Sequence, residues 1–177
     1  MADGGALGKK IGQRLLQRRH RQPRRQQALL ERAGPGVGNA GDITVIVTVL
    51  VDGEDHDEPI ADAVRGILDG HPVLGRRIGE RGRWPAIDVL RSVSRALPRC
   101  HSDDENALLR DARLLLDAYD RMAELIRLGA YRAGSDPVLD RGIQKQPAFE
   151  ALLSQGIDER SDATTTFAAL ARILDRT

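Results

Sequence analysis

The chain has 177 residues, 27 Lys and Arg against 26 Asp and Glu for a formal net charge of +1, and 41% hydrophobic but only 3% aromatic residues. That length suits one domain and a small second one, and no charge excess marks the whole as disordered. The longest apolar run, Ile43 to Val51, falls well short of the roughly 18 residues a membrane span needs, no secretory signal precedes it, and the single Cys100 can form neither an internal disulfide nor a Cys-based zinc site. A cytoplasmic protein is expected.

The near-zero charge hides a division. Residues 1–36 carry nine Lys and Arg against two acids, net +7, which leaves the remainder at −6. This first segment has weak helical periodicity through Ile11, Leu15 and Leu16, followed by RRHRQPRRQQ, and is too polar to hold a core. The Gly-rich breaker GPGVGNAGD ends it. Ile43 to Val51, ITVIVTVLV, is almost all β-branched on both alternating faces, the pattern of a strand buried on both sides in a parallel sheet. The acidic turn DGEDHDE follows, and Pro59 opens a predicted helix from Ile60 to about Leu68. A short apolar stretch from Pro72 to Leu74, a basic helical turn around Arg76 to Arg81, and a loop and strand within Arg81 to Pro98 complete an α/β half.

From Ser102 the texture becomes helical. Ser102 and Glu105 have capping-box spacing, and Leu108, Ala112, Leu115, Tyr119, Met122 and Ile126 recur with the period of one buried helix face. Gly129 is a plausible stop. Ser135, Asp136 and Pro137 restart a helix carrying Val138, Ile143, Phe149, Leu152 and Leu153, with a break at Pro147. A last helix begins near Ser161 or Asp162 and places Phe167, Leu170 and Leu174 on one face. These helices predict a small bundle.

Several motifs have plain alternatives. The acidic turn could hold Mg²⁺ through hard oxygens, but its spacing fits no calcium loop and a solvated turn is the better reading. His56 and His71 lack metal-ligand spacing to a second His or Cys; His56 reads as exposed and His71 as a structural hydrogen-bonding residue. The basic N-terminal run could contact nucleic-acid phosphates, yet no aromatic residue is interleaved for base stacking.

The strings ITVIVTVLVDGEDHDEP, EPIADAVRGILDGH (Glu58 to His71), LGRRIGERGRWPAIDVLRSVSR (Leu74 to Arg95) and ENALLRDARLLLDAYDRMAELIRLGAYRAGSDP closely resemble the catalytic ATPase of flagellar type III protein export, a homologue of the F-type rotary ATPase catalytic subunit. The resemblance runs from LLERAG (Leu29 to Gly34) to Thr177. It implies an α/β fold: 37–100 as the C-terminal part of a RecA-like P-loop ATPase domain, 101–177 as an all-α helical bundle domain, and 1–36 as a basic segment largely outside the pattern.

In that family, nucleotide lies between neighbouring subunits of a homohexameric ring. The arginine of S-x-S-R reaches the neighbour's γ-phosphate; here that is Arg95, after Ser92 and Ser94. A guanidinium suits the role because it stays charged and presents a planar fork to the equatorial oxygens. The alternative is a surface Arg paired with Asp88 or a carbonyl. The aromatic residue before P-A-I-D is the adenine-stacking position, Trp84, with Pro85 fixing the approach of the loop; the alternative is a core Trp.

The resemblance also implies ATP with Mg²⁺, partners among the export stalk, stator, gate, substrates and chaperones, no nucleic acid, and peripheral membrane association through the gate at the cytoplasmic face of the export apparatus. The G-x-x-x-x-G-K-[ST] phosphate loop, the family's catalytic Glu and its Mg-binding Asp are absent, so no metal ligands are assigned and this chain alone is expected not to hydrolyse ATP. Residues 1–28 do not match the family and are expected to come from a truncated or out-of-frame reading of the gene. A sheet cut open at Asp42 would expose an apolar edge. Two rival readings are the ATPase of a virulence injectisome, with nearly the same strings, and a non-catalytic nucleic-acid-binding relative using the basic N-terminus.

Overall fold

The computed structural model describes Gly34, residues 41–49, Gly66 and residues 68–176. The chain divides into two compact units, residues 1–68 and 69–177.

In the first unit, Gly34 and Ile43 form an isolated antiparallel bridge with two N–H···O bonds of 3.0 Å. Over its described residues, 43–49, the strand predicted from Ile43 to Val51 is not formed. Residues 44–49 have no regular structure, and the side chains of Val45, Ile46, Val47 and Val49 are exposed, Ile46 to 93%. A strand apolar on both faces requires neighbours on its edges and layers on both sides, and among the described residues only Gly34 bridges to this run. Of the predicted helix from Ile60 to about Leu68, only Gly66, which is helical, and Leu68 are described. The basic N-terminal run, the DGEDHDE turn and His56 lie outside the described residues.

The second unit begins with an antiparallel ribbon of β1 (Gly70–Leu74) and β2 (Ile87–Ser94), joined by a short helix α1 (Arg76–Glu80). Among the described residues the sheet is this two-stranded antiparallel one. Its register shifts in the middle: His71 pairs with Val93 and Val73 with Asp88, so Pro72 alone faces residues 89–92. Proline has no N–H to give to a ladder and is found at such bulges.

Three helices follow: α2 (Asp103–Arg127), α3 (Pro137–Leu153) and α4 (Ala163–Ile173). Their starts are those the sequence predicts. Ser102 and Glu105 form the reciprocal capping box, with Ser102 N–H donating to Glu105 Oε2 at 2.8 Å and Glu105 N–H to Ser102 Oγ at 3.2 Å. Asp136 caps α3 by accepting from Val138 and Leu139, with Pro137 opening the helix, and Asp162 caps α4 through Thr165 N–H at 2.8 Å. Gly129 follows the end of α2 with φ of 69°, the left-handed conformation glycine supplies without a Cβ penalty.

The core joins Leu108, Ala112 and Leu115 of α2, Phe149 of α3, and Leu170 and Leu174. On α3 the buried stripe is Leu139, Gly142 and Phe149 rather than Val138, which is exposed. Gly142 permits close approach: a Cβ there would lie 2.8 Å from Leu115 O on α2. The predicted break at Pro147 does not occur, and α3 runs through it. Leu139 before it and Phe149 after it are each only 2% exposed, so packing on both sides holds the helix across the missing N–H. Basic side chains of α3 close the far end, with Arg141 donating to Leu174 O at 2.8 Å and Lys145 pairing with Asp175 at 2.7 Å.

These bonds hold several carboxyls below their ordinary range: Glu105 chiefly by the Ser102 N–H, Asp162 by the Thr165 N–H and Asp175 by Lys145. A depressed folded-state value contributes stability that is complete above the unfolded value and lost as pH falls through the lowered one. Thermal stability is therefore expected to fall as pH drops below about 4. Asp162→Asn keeps an acceptor for Thr165 but no longer titrates, so its melting temperature should depend less on acid than that of the parent chain; equal dependence would contradict the assignment.

Candidate functional site

Trp84 and Arg95 leave β2 at opposite ends. The paired length of the ribbon, five residues of β1, spans roughly 13 Å at about 3.3 Å per residue.

The bulge between those ends is held by its own side chains. Asp88 Oδ1 accepts from Leu90 N–H and Arg91 N–H, both at 3.1 Å. The Ser92 hydroxyl donates to Asp88 O at 2.6 Å and accepts Val73 N–H at 2.9 Å. Arg113, reaching from α2, places its two terminal nitrogens 2.8 Å from Val89 O and Leu90 O. The first serine of the S-x-S-R string is thus a structural residue, and so is the aspartate of P-A-I-D. Asp88 also pairs with Arg91, at 3.6 Å.

Arg95 follows the last residue of β2. It is exposed, and its backbone N–H donates to Asp69 O at 2.7 Å, which fixes where the side chain departs from the ribbon.

At the other end, Trp84 is not a core tryptophan: it is 62% exposed. Its indole lies over α1, since a Cβ on Gly79 would be 3.4 Å from ring atoms Cζ2 and Cη2. The Trp84–Pro85 peptide is cis. Trp84 O accepts Gln155 N–H at 2.7 Å, from just beyond the end of α3. Pro85, Ile87 and Val89 line, with Leu152, Gln155 and Thr166, a cleft of about 360 Å³. A wider depression of about 770 Å³, around Tyr131 and Asp140 at the α2–α3 turn, contains none of the candidate residues.

Preceding the exposed Trp84 is a nearly buried arginine. The Arg83 side chain is 11% exposed, donates to Ile87 O at 3.0 Å and approaches Glu150 Oε1 of α3 at 3.4 Å. Gln146 Nε2 donates to the same Glu150 oxygen at 3.0 Å. Arg83 Nε and Gln146 Oε1 are buried without a hydrogen-bond partner among the described residues, a state that costs on the order of 1–3 kcal/mol per group. Sequence reasoning missed Arg83, Glu150, Gln155 and Arg113, because each acts through a partner far away in the chain.

Comparison with known proteins now gives this architecture a class. The structure superposes on the assembled ATPase EscN of the enteropathogenic E. coli type III secretion system with a TM-score of 0.79 at 34% identity, covering 86% of this chain and 36% of that one. EscN in complex with its central stalk EscO matches at a TM-score of 0.72 and 35% identity, covering 82% of this chain and 34% of that one. The fold is the α/β nucleotide-binding domain of an ATPase, in its C-terminal part, followed by a helical domain. The model of the ATP synthase alpha/beta family nucleotide-binding domain matches residues 23–94, and that of the T3SS EscN ATPase C-terminal domain matches residues 101–172.

The chain belongs to the ATP synthase alpha/beta family, in the branch that holds the flagellum-specific and type III secretion ATPases. The flagellum-specific ATP synthase of Caulobacter vibrioides is 55% identical over 82% of this chain and 34% of its own length, and that of Salmonella typhimurium 47% identical over 81% and 31%. The chain thus spans about a third of the length of the curated relatives it matches. The family match begins at residue 23, six residues before the LLERAG string.

Among the described residues no group of three or more His, Cys, Asp or Glu could hold a metal ion, and no residue of this chain is assigned as a metal ligand. No described helix is long and apolar enough to cross a membrane.

The roles found for Asp88 and Ser92 are testable. Ser92→Ala strands Val73 N–H and should lower unfolding free energy by about 1 kcal/mol in urea titration. An unchanged midpoint would contradict the structural role of this hydroxyl.

Proposed function

We propose that the chain is the C-terminal portion of an ATPase that energises flagellar type III protein export from a homohexameric ring. Residues 37–100 close its nucleotide-binding domain and 101–177 form its helical domain. Trp84 stacks on adenine, with Pro85 fixing the loop, and Arg95 acts in trans on the γ-phosphate held by the neighbouring subunit. The observation that carries the reading is that Trp84 and Arg95 flank the two ends of one strand, both as exposed residues, on strings matched to relatives named as flagellum-specific ATP synthases.

The chemistry asked of these groups is limited. Water adds to the γ-phosphorus, the bond from that phosphorus to the β–γ bridging oxygen breaks, ADP leaves with the electron pair, and the proton lost by the water passes to the phosphate product or to solvent. Arg95 neutralises charge on the equatorial oxygens as it spreads, a contribution on the order of 10³ to 10⁵ in rate for such fingers. An indole offers a flat face to the base without selecting the phosphate state. ATP with Mg²⁺, the export stalk, stator, gate, chaperones and substrates, and a place at the cytoplasmic face of the export apparatus belong to this proposal.

A second reading, the ATPase of an injectisome, is favoured by 43% identity to the type 3 secretion system ATPase of Pseudomonas syringae. The RGILDGH and ERGRWPAID strings are nearer the flagellar pattern, and the genes flanking this one discriminate between the two.

The test is an assembled enzyme in which residues 29–177 replace the matching segment of the Caulobacter vibrioides relative. Arg95→Ala is expected to cut turnover by about 10³-fold or more and leave nucleotide binding nearly unchanged, while Trp84→Ala raises the Kd for ATP. Near-normal turnover of the first, or unchanged affinity of the second, refutes the corresponding assignment.

A further inference from the structure

We infer that Arg83 and Glu150 are a positioning pair that sets the pose of Trp84, so that the location of helix α3 is passed to the base-stacking ring. The inference rests on the reading of Trp84 as the adenine-stacking residue.

Two consecutive residues have the reverse of the usual burial. The charged Arg83 side chain is 11% exposed and the aromatic Trp84 is 62% exposed. Arginine is almost never placed inside without a partner, whereas a large apolar ring gains by burial. The exposed ring therefore depends on its backbone and on the flat contact over Gly79 for a fixed orientation.

That backbone is gripped on both sides of the ring. On one side the Arg83 fork ties Ile87 O at 3.0 Å to Glu150 Oε1 at 3.4 Å, and Arg83 N–H donates to Ile78 O at 3.3 Å. On the other side Trp84 O accepts Gln155 N–H at 2.7 Å. Glu150 lies in the last turn of α3 and Gln155 just past its end, so both grips come from the C-terminal end of α3 and the residues that follow it. Gln146, one turn back, holds the Glu150 carboxylate at 3.0 Å. A planar guanidinium can serve a carbonyl and a carboxylate together, which an ammonium cannot do in the same geometry. Displacement of α3 would thus pull Trp84 before it disturbed the far end of the ribbon, where Arg95 departs.

Trp84 is the only tryptophan in the chain, so its emission reports this loop alone. In the 177-residue chain, acrylamide quenching and time-resolved anisotropy are measured for Arg83→Met, Glu150→Gln, their combination, and Arg83→Lys. Each of the first two should loosen the ring, increasing the rapidly depolarising population about two- to fivefold. The double variant should show no more than the larger single effect, because one pair has been broken twice, and Arg83→Lys should recover part of it. If Arg83→Met fails to fold, Glu150→Gln carries the test alone, since that carboxylate is 45% exposed. An unmoved Trp84 signal, or additive single effects, overturns the pair.

The same variants in the Caulobacter vibrioides chimera should raise the KM for ATP about two- to fivefold with little change in kcat. Loosened anisotropy with an unmoved KM would overturn the base-stacking reading instead, which separates the two failures.

Discussion

Residues 89–92 face only Pro72 across the ribbon, and their backbone groups must be satisfied by something other than a ladder. Asp88 and Ser92 do this from within, and Arg113 does it from α2 by covering two successive carbonyls. A lone two-stranded ribbon is marginal in water. The bulge converts that weakness into an attachment, because the carbonyls it turns out are those the helix grips. It also decides where the ends of β2 point, and hence how far apart Trp84 and Arg95 are presented.

The helical domain takes hold of the ribbon a second time at the Trp84 loop, through Glu150 and Gln155 of the α3 end. One helix contacts the middle of β2 and another the loop before it, so the two ends of the ribbon experience the helical domain differently. The Arg95 end is tied to the chain ahead of β1 through Asp69. Under the roles proposed for Trp84 and Arg95, movement of the helical part would alter the Trp84 loop while Arg95 stays tied to the chain ahead of β1 through Asp69.

Much of the helical domain was legible because its signals are local. The capping box, the Asp136–Pro137 start, the Asp162 cap and the Gly129 stop each need only a few consecutive residues. What failed was the non-local part. Leu139 was missed because Gly142 interrupts its apolar stripe, and Gly142 is there because α2 passes too close for a side chain. Pro147 reads as a break locally but lies between two buried anchors. Ile43 to Val51 has the composition of a buried strand, yet composition cannot supply neighbours. Trp84 and Arg95 are proposed through the resemblance of a long string, not through period or spacing, while the Arg83–Glu150 pair spans too much sequence for any local signal.

Under the proposed roles one chain offers its indole to its own nucleotide and its guanidinium to the next. A cryo-EM structure of the assembled chimera with a non-hydrolysable ATP analogue tests it most directly. The Trp84 ring should then lie stacked on the adenine of its own subunit, with the Arg95 guanidinium within about 3 Å of the neighbour's γ-phosphate oxygens. Adenine seated away from Trp84, with Arg95 bonded only within its own subunit, would contradict it.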